Sequence, residues 1–170
     1  MKPGYKLIAA ATIILAAHTY HKKEIDRYEH DLRQNRITYE ALLTSQEVRL
    51  KDYFISMGSP TPVTAAKAVS KSKRKHLAAA TLKKESQANF KAVGDHGASL
   101  GGYQIQPRHW GEVPKSAEGQ TQKYDYVMDA LEREFGNDAV RHYNGSGPQA
   151  RKYKKEVVSE AIRLAQEIGE

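Results

Sequence analysis

Glu85 and Ser86 close an alanine-rich apolar stretch, Leu77-Ala78-Ala79-Ala80-Thr81-Leu82. A carboxyl at the rigid end of such a helix can enter a cleft walled by core residues. Partial burial there raises its pKa, because desolvation penalises the charged form. A raised carboxyl pKa is what a general acid needs near neutrality. The plain alternative is a surface glutamate paired with a nearby lysine. After Glu85 comes a glycine-rich turn, with Gly94, Gly97, Gly101 and Gly102 around Asp95 and Ser99. Glycines let a bulky ligand approach the backbone closely. Gln104, in Tyr103-Gln104-Ile105, offers an amide donor and acceptor without charge, suited to a sugar hydroxyl or N-acetyl group. Acid/base chemistry on a sugar chain is the reading these residue types suit.

Elements must hold these residues together. Thr61 and Pro62 cap and start a short helix, with proline at the tolerated first position. Residues 74–86 form the helix that ends in Glu85. Leu100 and Tyr103 to Ile105 suit a short hairpin. Trp110, between Pro107 and Pro114, is expected to plug the core rather than stack on a sugar. Tyr124, Val127, Met128, Leu131 and Phe135 share one face of a helix over 121–135. Residues 139–143 make a helical turn, and Asn144-Gly145-Ser146-Gly147-Pro148 a loop. Tyr153, Val157, Val158, Ala161, Ile162 and Ala165 mark a closing helix. The expected class is mainly α, with one small glycine-rich β excursion.

Upstream, Ile25, Tyr28, Leu32, Tyr39, Leu42 and Leu43 recur at helical spacing through 21–57. This segment is one long helix or two, serving as a stalk or packed on the catalytic domain. Gly58-Ser59-Pro60-Thr61-Pro62 ends it and sets the expected boundary. A linker and short helix over 58–72 then lead to a catalytic domain over 73–170. At the N-terminus, Lys2 and Lys6 precede Leu7 to Ala17, a basic start and then an apolar run. Residues 1–20 thus look like an export signal or an uncleaved membrane anchor. The run is shorter than the roughly 20 residues that span a bilayer.

The 170 residues fit one modest domain plus an appendage, and the absence of cysteine excludes a disulfide scaffold or thiolate site. The formal net charge of +7 is uneven. Lys67, Lys71, Lys73, Arg74, Lys75, Lys83 and Lys84 fall within 61–84, where there is no acid. Such a patch steers a protein to a polyanion or merely solubilises it. The basic run lacks interleaved aromatics and any standard recognition motif, so no specific nucleic-acid partner is expected. His18 and His21 lie near each other but in the N-terminal address segment, and His96, His109 and His142 lack ligand spacing, so no metal or other cofactor is expected. Ten tyrosines against three phenylalanines suit either a wet sugar cleft or helix–helix contacts whose hydroxyls need partners.

Three blocks carry a family resemblance. Leu77 to Ser86 followed by Asn89-Phe90 resembles the helix that ends in a catalytic Glu-Ser. Gly94 to Pro107 resembles that family's glycine turn and Gln-Ile strand. His142-Tyr143-Asn144-Gly145-Ser146-Gly147-Pro148, then Lys152-Tyr153 and Val157, resembles its Tyr-Asn-x-Gly block and final helix. In this order, residues 73–165 are similar to the lysozyme-like soluble lytic transglycosylase domain, related to goose-type lysozyme. Tyr103 stands where many members have methionine, and Ser99-x-Gly101 replaces the usual Gly-x-x-Gly start of the turn.

The resemblance implies an α+β lysozyme-like fold and cleavage of the β-1,4 bond between N-acetylmuramic acid and N-acetylglucosamine. Glu85 is then the acid and afterwards the base. Tyr143 supports its charge cycle, and Ser99, Gly101, Tyr103, Gln104 and Asn144 meet the substrate. The product would carry 1,6-anhydromuramic ends. Peptidoglycan strands would be the partner, a monomeric catalytic domain the active unit, and the envelope the location, with residues 7–20 associating with the inner membrane. Phage lysis, virion-associated wall penetration and clearance for a secretion apparatus all remain open. So do a muramidase using Asp95 as a second carboxylate and a wall-binding protein without catalysis.

Overall fold

The computed structural model describes residues 20–34 and 44–169. Two compact units divide the chain, Met1–Leu42 and Leu43–Glu170. In the first, residues 20–34 form helix α1, with Tyr20, Ile25, Tyr28 and Leu32 exposed. The expected signal or anchor, residues 1–20, lies outside the described residues except for Tyr20. Among the described residues, no helix is long and apolar enough to cross a membrane.

The second unit opens with α2 (Ser45–Ser56). A reciprocal cap starts it. Thr44 Oγ1 accepts from the Glu47 amide at 3.2 Å, and Glu47 Oε2 accepts from the Thr44 amide at 2.7 Å. Leu50, Tyr53 and Phe54 turn inward. Helix α2 packs on α3 (Pro62–Ser70), whose first position is proline as expected. Ala65, Ala66 and Val69 are fully buried on α3 and let the two helices approach closely. The expected boundary at Gly58–Pro62 is therefore a turn inside the compact unit, which starts near residue 43. Gly58, at φ +77°, makes that turn. Over 45–56 the segment packs on α3 and on the last helix (Gly147–Ile168) within the second unit; it is not a stalk there. Residues 35–43, between α1 and α2, lie outside the described residues.

Helix α4 (Lys75–Ser86) follows, then a two-stranded antiparallel sheet. Strands β1 (Val93–Gly94) and β2 (Ser99–Leu100) pair Val93 with Leu100 and Gly94 with Ser99, around a 3-10 turn over Asp95–Gly97. Leu100 also bridges Ile105, so the hairpin expected there is a bridge. Four helices complete the unit: α5 (Pro107–Trp110), α6 (Ala117–Phe135), α7 (Ala139–Tyr143) and α8 (Gly147–Ile168). The class is mainly α with one small sheet. Phe54, Leu82, Tyr103, Tyr124, Val127 and Leu164 anchor one core. Fully burying each such side chain contributes about 1.5–3 kcal/mol.

The basic stretch before Glu85 has a structural use. Lys71, Lys73 and Arg74 pair with Glu118, Asp129 and Glu132 on α6. Lys83 and Lys84 pair with Glu160 and Glu156 on α8, at 2.8 and 2.5 Å. These ion pairs tie α4 and its approach to the two long helices beside it.

Candidate active site

The end of α4 is built to hold Glu85 still. Gln87 and Ala88 both adopt left-handed backbone, φ 54° and 59°, and stop the helix. Their amides return to the Lys83 and Leu82 carbonyls at 3.1 Å. Ser86 then fastens this end to the glycine turn. Its hydroxyl donates to the Gly102 carbonyl at 2.7 Å and accepts from the Asn89 amide at 3.1 Å.

The turn is held from the other side by α6. Gln120, buried, accepts from the Gly102 amide at 2.7 Å and donates to the Phe90 carbonyl at 3.0 Å. Side chains at 101 and 102 would collide with Gln120 and Leu82, which explains both glycines.

Glu85 is half-buried. Burial pushes its carboxyl above the usual range. The donor hydroxyl of Tyr153 opposes that rise, the charge of Asp95 adds to it, and Lys84 opposes it. The Tyr153 hydroxyl donates to Glu85 Oε1 at 2.5 Å. Burial, and then the charge of Glu85, push the Tyr153 phenol far above its ordinary pKa, so it remains the donor. Oε1 is engaged by Tyr153, which makes Oε2 the oxygen available for proton transfer.

Glu85 opens on a cleft of about 830 Å³ lined also by Asp95, Ser99, Gln104, Trp110, Tyr143 and Asn144. The structure thus brings Glu85, Ser99, Gln104, Tyr143 and Asn144 together. Gln104 is held in left-handed backbone, φ 49°, and its Nε2 donates to the Gly101 carbonyl at 2.7 Å. Its Oε1 occupies space that exists because residue 94 lacks a side chain: a Cβ on Gly94 would lie 2.0 Å from it. Asp95 and His96 are also left-handed, φ 49° and 55°. Such backbone costs roughly 1 kcal/mol or more per residue, and it gathers along this cleft. Asp95 organises the turn, accepting from the Ser99 hydroxyl at 2.5 Å.

Two expected substrate contacts are corrected. Tyr103 is fully buried and does not line the cleft. Its ring stacks on Tyr124 at 4.5 Å, and its hydroxyl meets Thr121 Oγ1 at 3.1 Å. The turn that exposes Gln104 sends the preceding side chain inward. Gly101 is buried too and acts through its carbonyl, which orients Gln104. Tyr143 lines the cleft, but its hydroxyl donates to the Tyr103 carbonyl at 2.6 Å. The phenol bonded to Glu85 is that of Tyr153, which the helical periodicity marks only as a core position. Trp110 is part-buried, packing on the core while lining the cleft.

Among the described residues, no group of histidines and carboxylates has metal-binding geometry. No family model, curated protein or solved structure significantly matches the chain.

Proposed function

We propose that this chain is a peptidoglycan lytic transglycosylase with a lysozyme-like catalytic domain. The observation that carries the reading is the state of Glu85. It is a half-buried carboxyl with a raised pKa, held by one phenol, at the edge of a cleft rich in uncharged polar groups.

As the general acid of this reaction, Glu85 enters it in the protonated form, which burial favours. The glycan lies across Glu85, with Gln104 Oε1 and Asn144 meeting sugar hydroxyls or N-acetyl groups. Glu85 gives its proton to the glycosidic oxygen as the bond to C1 of N-acetylmuramic acid breaks. The resulting carboxylate keeps the Tyr153 hydrogen bond, a charge-assisted contact that strengthens as charge develops. It then takes the proton of the muramic acid C6 hydroxyl, whose oxygen closes on C1. A 1,6-anhydro ring forms, no water is consumed, and Glu85 ends protonated. No cofactor is needed.

One observation favours a second reading. Asp95 lines the same cleft as Glu85, as the second carboxylate of a hydrolytic muramidase must. Its bond to Ser99 favours the structural role instead. Product analysis on purified peptidoglycan separates the two. Anhydromuramic ends support the transglycosylase, whereas reducing muramic ends at the same bond support the hydrolase. Release of neither product, with binding retained, leaves a wall-binding protein.

The substrate implies delivery to the cell envelope. Residues 1–20 supply the export signal or anchor in this reading, and phage lysis or wall penetration is the preferred setting. Fractionation of the expressed protein with and without residues 1–20 tests it. Membrane retention lost on truncation supports the anchor, and equal solubility of the two forms counts against it.

A further inference from the structure

Helix α7, the turn before it and α8 form a pocket of about 420 Å³ that shares no lining residue with the Glu85 cleft. Its polar lining is Asp138, Arg141, Arg151, Lys154, Lys155 and Ser159. Residues 151, 154, 155 and 159 recur at helical spacing, so one face of α8 supplies three of the four cations. Four cations face one carboxylate, which leaves the pocket at +3. Arginine and lysine stay charged near neutrality, so this balance does not depend on the state of Glu85.

The single carboxylate is shared. Asp138 Oδ1 accepts from Lys154 Nζ at 2.8 Å, and Oδ2 lies 3.3 Å from Arg141 Nη2. Asp138 thus holds two of the cations in place. The side chains of Arg151 and Lys155 are exposed and have no ion-pair or hydrogen-bond partner among the described residues. Arg141 adds a second sign of incompleteness: its Nε is buried and has no hydrogen-bond partner. A buried donor left open is uncommon and marks a place for a bound ion or water. Solubility alone asks for neither a pocket nor a carboxylate that aims the cations.

The charge selects the ligand. A carboxylate would neutralise only one of three unmatched charges. A phosphate monoester brings about −1.5 to −2 near neutrality, with three acceptor oxygens. Guanidinium forks match those oxygens in pairs, and lysines add point charges. We infer that the pocket between α7 and α8 binds a phosphate monoester. The monoester is either free, as on a small phosphorylated molecule, or carried by a lipid headgroup. The site is independent of what the Glu85 cleft cleaves.

The test has two arms, both on the full chain near neutrality. In the first, inorganic phosphate replaces chloride at fixed ionic strength, and the backbone amide shifts of residues 138–159 report binding. Arg151→Gln and Lys155→Gln are each expected to weaken binding roughly three- to fivefold, the size of one partly exposed charge contact. Neither side chain holds an ion pair, so melting temperatures stay at the parent value. Lys91→Gln removes the same charge from an exposed lysine outside the pocket and leaves binding unchanged. In the second arm, the chain is captured on phosphatidylcholine vesicles with and without phosphatidic acid. Any hold of residues 1–20 on the bilayer is common to the parent and the variants. Capture that needs phosphatidic acid and falls in the two pocket variants, but not in Lys91→Gln, assigns the monoester to a lipid headgroup. A pocket-specific loss in the phosphate arm alone assigns it to a free phosphorylated ligand. Pocket variants that behave like Lys91→Gln in both arms overturn the site and leave a diffuse basic surface.

Discussion

The hydroxyl of Tyr153, on the last helix, donates to Glu85 Oε1 at 2.5 Å, across 68 residues of sequence. This bond opposes the rise that burial imposes on the Glu85 carboxyl. Replacing Tyr153 by Phe therefore raises the Glu85 pKa further. The alkaline limb of the kcat/KM profile, where the protonated acid is lost, moves to higher pH. At the same time kcat falls about tenfold, because the carboxylate formed during reaction loses a bond of about 1.5 kcal/mol. A limb that stays in place in Tyr153→Phe would reduce the phenol to packing.

Glu85→Gln lowers glycan cleavage by at least about 100-fold, the scale of general acid catalysis. Its stability moves the other way. The folded carboxyl titrates above its unfolded value, so the folded state holds the proton longer. Stability of the parent consequently falls as pH rises from the unfolded pKa through the folded one. Melting temperatures across pH are expected to coincide on the acid side and to favour Glu85→Gln on the alkaline side. Parallel curves throughout would contradict a raised carboxyl.

Glu160 has the opposite sign. Its folded pKa is about 2, against an ordinary value of 4.5. Its contribution is whole above about pH 4.5 and is lost as pH falls towards 2. Glu160→Gln is expected to cost on the order of 2 kcal/mol near neutrality, from the linkage of such a shift, and almost nothing near pH 2. Urea titrations at the two pH values check this. A deficit of equal size at both pH values would trace to packing instead of charge.

Gly94 has ordinary backbone, φ −115°, so alanine fits its conformation. The added methyl meets Gln104 Oε1 and displaces the amide from its place over the turn. Gly94→Ala is expected to raise KM several-fold, the cost of about one weakened hydrogen bond, with little change in melting temperature. A large fall in stability with KM unchanged would mean that Gln104 does not meet substrate.

The helices were legible in the sequence because their apolar residues recur at helical spacing, and proline and glycine mark several of their ends. Residue 85 stood out as a candidate through the order of the three resembling blocks, since its helix alone left a surface glutamate paired with lysine open. Three matters were not legible. Tyr153 sits on the inward face of α8, where periodicity treats any aromatic as core, and only folding shows its hydroxyl reaching Glu85. Tyr103 precedes Gln104, and the left-handed backbone at 104 decides which of the two side chains faces the cleft. Helix α2 joins the compact unit through Leu50, Tyr53 and Phe54, while Gly58 and two prolines made its end look like a domain boundary.

Helix α8 supplies the donor to Glu85, the Glu160 anchor for α2 and α4, and the Ile168 carbonyl that receives Arg49 at 2.8 Å. All three services come from residues 147–168. A ribosome that has completed α4 has made the acid but neither its phenol nor the carboxylates that hold its helix. The candidate site is therefore complete only once residues 147–168 have been made and folded.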